Sequence, residues 1–111
     1  MTANELQEQM LRTARFDRPQ DSILLNCAVG LAGEVGEVND IIKKIIFHKH
    51  PFDPAQYEKL LDEIGDVAWY LAYLTAALNS DFETVFKRNV AKLQKRYPNG
   101  FSEADSLNRT A

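Results

Sequence analysis

At 111 residues, with 45% hydrophobic and 26% charged residues, the chain has the size and composition of one globular domain spanning 1–111. A net charge of -3 gives no basic footprint for a nucleic-acid polymer, and no apolar run reaches the roughly 18 residues that a membrane span needs. The polar start MTANELQEQM is unlike a signal peptide, and the lone Cys27 excludes an internal disulfide or a cysteine-based zinc site, so a cytoplasmic setting is expected.

Caps and hydrophobic periodicity predict four helices. The first runs from about Asn4 to Phe16, with a capping-box pattern at Thr2 and Glu5 and an apolar stripe of Leu6, Met10 and Leu11. Pro19 interrupts, and Asp21 or Ser22 signals a second start. The second helix, from about Ile23 to His48, holds Gly30, Gly33 and Gly36. Each mid-helix glycine costs about 0.5–1 kcal/mol relative to alanine, so the three call for a close neighbour or a ligand at the backbone.

His50-Pro51-Phe52-Asp53-Pro54 reads as a turn, with Asp53 as N-cap and Pro54 in the first helical position. The third helix runs to about Leu78, where Asn79-Ser80 ends it. Ser80 and Glu83 form a capping box for a fourth helix, from about Phe82 to Tyr97. Pro98-Asn99-Gly100 stops it, and the polar tail over 102–111 reads as loose or as a short docking segment. The fold class is all-α, a four-helix, bundle-like arrangement. A chain this short buries only about 60–70% of the surface its unfolded form exposes, so oligomerisation would supplement its core.

Chemistry enters through carboxylates. Glu34 and Glu37 share one face of the second helix, and Glu63 and Asp66 share one face of the third. A short turn makes these helices antiparallel neighbours, which can bring both pairs together. Four carboxylates on facing helices repel without a cation, and hard divalent ions such as Mg²⁺ or Mn²⁺ prefer such oxygen ligands. Either pair alone reads more readily as a solvated acidic face. Their small and apolar neighbours, Gly33, Gly36, Gly65, Ala68, Ile64 and Val67, are unlike a solvent face.

The stretches GLAGEVGEVNDIIKK (Gly30 to Lys44) and DEIGDVAWYL (Asp62 to Leu71) resemble the MazG-like, all-α nucleotide pyrophosphohydrolases. That family's mark is Glu-x-x-Glu on one helix and Glu-x-x-Asp on the next. The ending NVAKLQKRYPNGF, Asn89 to Phe101, resembles the family's last helix, so the likeness covers about residues 23–101.

The resemblance implies cleavage of a nucleoside triphosphate between its α and β phosphates, releasing a monophosphate and pyrophosphate. It implies Mg²⁺, with Mn²⁺ as a substitute, held by Glu34, Glu37, Glu63 and Asp66, in a homodimer or homotetramer. Many members carry a glutamate where this chain has Gly33, and here it resembles the dCTP-pyrophosphatase-like branch. The general base is then Glu34 or, one turn beyond Glu37, Asp40, whose alternative reading is a surface charge. Lys59, Lys92 and Arg96 are the expected phosphate contacts and Tyr70 and Asn26 the expected nucleoside contacts, each against the alternative of a solvated or packing side chain. Trp69 reads as packing, and His48 and His50 as helix-end or turn residues. The competing readings are a di-iron bundle, for which no Glu-x-x-His exists, a helical interaction module, and a dUTP or phosphoribosyl-ATP pyrophosphohydrolase.

Overall fold

The structure, a computed structural model, describes residues 1–109. Among these the chain is all-helical: α1 Ala3–Met10, a 3₁₀ turn Leu11–Thr13, α2 Gln20–Phe47, α3 Pro54–Ala77, α4 Phe82–Arg96 and α5 Glu103–Leu107. The long pair α2 and α3 makes the main helix–helix interface. Their core is Ile23 and Cys27 of α2 against Tyr73 and Ala77 of α3, extended by Leu11, Leu24 and Trp69.

Local chemistry sets each boundary. Asp53 accepts from the Gln56 amide at 2.9 Å and Pro54 opens α3, as the sequence predicts. Asn79, at φ 58°, takes the left-handed conformation that ends α3 and sends its amide to the Ala76 carbonyl at 2.9 Å. Lys49, also at φ 58°, does the same job past α2.

Three boundaries differ from the sequence reading. The first helix stops at Met10 rather than near Phe16, because the Trp69 indole takes the Met10 carbonyl at 2.9 Å and the Thr13 hydroxyl at 3.0 Å, and the chain is extended at Ala14. The second begins at Gln20, directly after Pro19, and the Gln20 amide reaches across to the Ala77 carbonyl at 2.8 Å. The cap of α4 is Asp81 rather than Ser80, its carboxylate accepting from the Thr84 amide at 2.8 Å. Glu83 is drawn to α1 instead, where its amide meets Asn4 Oδ1 at 3.0 Å.

The stripe of α1 is also rotated. Leu6 is half exposed, and the buried residue is Gln7. Its amide donates to the Ala72 carbonyl at 3.0 Å and accepts from the Phe82 amide at 2.7 Å, so one glutamine joins three helices. The polar tail forms α5, capped by Ser102 on the Asp105 amide at 3.0 Å. The last two residues of that tail lie outside the described residues.

The chain does not close on itself. Its radius of gyration is 17.3 Å, against roughly 13 Å for a compact domain of this length. Beyond Phe82 and Glu83, α4 leaves α1 and α3, and Val85, Phe86, Val90 and Leu93 are exposed. Apolar residues also face outward from the hairpin, among them Leu25, Val29, Leu61 and Ile64.

Candidate active site

The α2–α3 interface brings carboxylates from both helices together. Oxygens of Glu34, Glu63 and Asp66 all lie within 4.8 Å of one another, at a point where the two helices run side by side. Glu37, one turn along α2, falls outside that trio but close enough for its charge to reach Glu63. Glu63 is pushed above the usual carboxylate range, first by desolvation and then by the negative charges of Asp66, Glu34 and Glu37. The charges acting on Glu63 are all of its own sign. Oxygen donors at this spacing are the set a hard divalent cation takes, and they would hold it from two helices at once.

The glycines divide. A Cβ on Gly30 would meet the Tyr70 ring at 2.2 Å, so this glycine exists to admit Tyr70 across the helix interface. Gly33, Gly36 and Gly65 have nothing within 4 Å of the equivalent position. Beside the carboxylates, the backbone is therefore left bare rather than packed. A ligand can approach it there.

The other expected site residues scatter. Asp40 is held by Lys44 at 2.7 Å and lies 3.9 Å from Lys43. The Lys44 hydrogen bond, chiefly, keeps its carboxyl below the ordinary range, which weakens it as a proton acceptor. Lys59 is exposed on α3, one turn before Glu63. Tyr70 lies over Gly30, edge-on to Trp69 with centroids 4.9 Å apart. Lys92 and Arg96 ride on the outlying part of α4, which does not pack along α2, so a single chain does not bring them to the carboxylates.

Asn26 is exposed and lines a cavity of about 410 Å³ with Arg18, Ser22, Trp69 and Tyr73. The sequence reading missed this cavity apart from Asn26. Its signal was the basic segment Arg15-Phe16-Asp17-Arg18-Pro19, which lies directly before the start of α2.

No described helix is long and apolar enough to cross a membrane. No solved structure matches the chain. It is 38% identical over 82 residues to the "Gene 37 protein" of Mycobacterium phage L5, covering 73% of this chain and 72% of that protein. A family model described as the MazG nucleotide pyrophosphohydrolase domain matches residues 24–101, which takes in most of α2, all of α3 and α4, and every carboxylate of the cluster. The chain belongs to the MazG nucleotide pyrophosphohydrolase family.

Proposed function

We propose that this chain hydrolyses (deoxy)nucleoside triphosphates to nucleoside monophosphate and pyrophosphate, with Mg²⁺ held by Glu34, Glu37, Glu63 and Asp66. The convergence of Glu34, Glu63 and Asp66 within 4.8 Å carries the reading. A bound divalent ion would neutralise phosphate oxygens and lower the pKa of water. The bare backbone at Gly33, Gly36 and Gly65 gives the triphosphate room beside these acids.

Glu34 takes the role of general base, since Asp40 is tied to Lys44. Tyr70, one turn beyond Asp66 on α3, lies against Gly30 of α2, where the sugar would pass. Lys59 serves the β and γ phosphates from α3. Lys92 and Arg96 serve them from α4 of a second copy. The open shape and the exposed apolar residues of α2, α3 and α4 support a homodimer or homotetramer in which two hairpins complete one bundle.

Hydrolysis in ¹⁸O-labelled water tests the reaction. Label is expected in the monophosphate and not in pyrophosphate. Release of orthophosphate with a nucleoside diphosphate overturns the reading. A helical interaction module, the competing idea, would show no thermal shift with Mg²⁺.

A further inference from the structure

The cavity beside the start of α2 has a definite hydrogen-bonding character. Several of its polar groups are engaged within the fold. The Trp69 indole N–H goes to Met10 and Thr13, the Thr13 hydroxyl donates to the Met10 carbonyl at 3.2 Å, and the Tyr73 hydroxyl donates to the Arg15 carbonyl. Arg15 is closed off by Asp17 at 2.9 Å.

Three groups remain available. Arg18 has only a long approach to Asp17, at 3.9 Å. The Ser22 hydroxyl and the Asn26 amide make no hydrogen bond to described residues, and the lining holds no carboxylate. Arg18 can donate and cannot accept, while Ser22 and Asn26 can do either. The walls are thus aromatic, from Trp69 and Tyr73, and the one charged group free to turn inward is a donor.

Position matters as much as character. Asn26 precedes Glu34 by eight residues on α2, about 12 Å along the axis. Gly30, carrying the Tyr70 ring, is halfway between them. On α3, Trp69 follows Asp66 by three. A nucleotide with its α-phosphate at the carboxylates has the reach to put its base into this cavity.

We propose that the cavity seats the substrate's nucleobase and that Arg18 selects bases with a carbonyl, not an amino group, on the edge away from the sugar. The assignment rests on the pyrophosphohydrolase reading above. A carbonyl accepts from the guanidinium, as guanine O6 does from arginine in other complexes. An exocyclic amino group points a donor at a donor and leaves both unsatisfied. Stacking on the aromatic walls tolerates either base and supplies affinity without choosing.

Two substrate pairs exchange that carbonyl for an amino group, the neighbouring ring nitrogen losing its proton in step: dITP against dATP, and dUTP against dCTP. The carbonyl member of each pair is expected to have the higher kcat/KM by about tenfold or more, the loss from an unpaired polar group. Arg18→Ala should bring both ratios close to one. Arg18→Lys, which keeps the charge and loses the fork, should fall between.

Binding can be read apart from turnover, because Trp69 is the one tryptophan of the chain and lines the cavity. In EDTA, dIMP should quench its fluorescence at concentrations where dAMP does not, and Arg18→Ala should remove the difference. Equal quenching by the two monophosphates overturns the selection by Arg18. Pyrophosphate release from triphosphates with no monophosphate disturbing Trp69 overturns the base seat. Selective quenching without pyrophosphate release from any triphosphate supports the cavity assignment and overturns the hydrolytic reading instead.

Discussion

The Tyr70 ring occupies the space where a Gly30 side chain would begin, its Cε1 2.2 Å and its Cζ 2.3 Å from an ideal Cβ. Helix propensity alone favours alanine at a mid-helix glycine by about 0.5–1 kcal/mol. Overpacking costs about 1–3 kcal/mol and wins here, because the ring also meets Trp69 edge-on. Gly30→Ala is therefore expected to lower stability by denaturant titration, and Tyr70→Ala in the same chain should recover the helix-propensity gain. Gly33→Ala and Gly65→Ala, with nothing within 4 Å, should each raise the stability of the metal-free protein. A stabilised Gly30→Ala protein would show that Tyr70 does not sit there.

Removing one charge from the acidic cluster should separate activity from stability. Glu63→Gln and Asp66→Asn are expected to lose turnover while keeping the helical circular dichroism of the parent. They should also lose the thermal shift that Mg²⁺ gives the parent. Parental activity of either variant at saturating Mg²⁺ would remove these residues from the metal site.

Glu63 gives a pH dependence of known sign. Its carboxyl is raised in the folded chain, first by desolvation and then by Asp66, Glu34 and Glu37. The folded state therefore holds this proton more tightly than the unfolded state. The stability contribution is present at low pH and is lost as pH rises through the raised folded value. In EDTA, Glu63→Gln should melt at or above the parent's temperature near neutrality. That advantage should shrink as the pH falls and Glu63 takes up its proton. An advantage that grows on acidification would contradict the crowding.

Asp81 runs the opposite way. The Thr84 amide, its main partner, lowers its carboxyl below the usual range. Its stabilisation is present above the unfolded value and is lost as pH falls through the lowered folded one. Asp81→Ala should lower the melting temperature near neutrality, through loss of the N-cap, and by less in acid. Asp81→Ser should restore most of it. A parent-like melting temperature for Asp81→Ala at neutral pH would deny the cap.

Assembly is testable on α4. Val90 and Leu93 are exposed in the single chain, so Val90→Asp with Leu93→Asp should leave the hairpin folded. Light scattering should then report a smaller species than the parent, and turnover should fall, as the proposed sharing of Lys92 and Arg96 between copies requires. A parent already monomeric and active at micromolar concentration would count against the shared site.

Much of the helical layout is legible in the sequence because it is local chemistry. Asp53-Pro54 and Asn79 announce the ends of α3, and helical spacing puts Glu34 with Glu37, and Glu63 with Asp66, on shared faces, of which Glu34, Glu63 and Asp66 come within 4.8 Å of one another. Contacts between distant segments are not legible. The early stop of α1 depends on Trp69, 59 residues away from Met10, and the buried role of Gln7 depends on Ala72 and Phe82. Asp81 outcompetes Ser80 for the cap of α4, and adjacent cap-forming residues cannot be ranked from sequence. Of three glycines needing a reason, one has a packing partner, and no pattern tells it from the other two.

Cys27 is wholly buried against Ile23, Tyr73 and Ala77, and burial pushes its thiol pKa upward. It is also the chain's sole cysteine. A thiol-specific reagent can therefore modify the native protein only when the two long helices part, so labelling kinetics report their separation with no engineered probe. A ligand that clamps α2 to α3 slows that clock in proportion to its occupancy, whether or not the ligand is consumed.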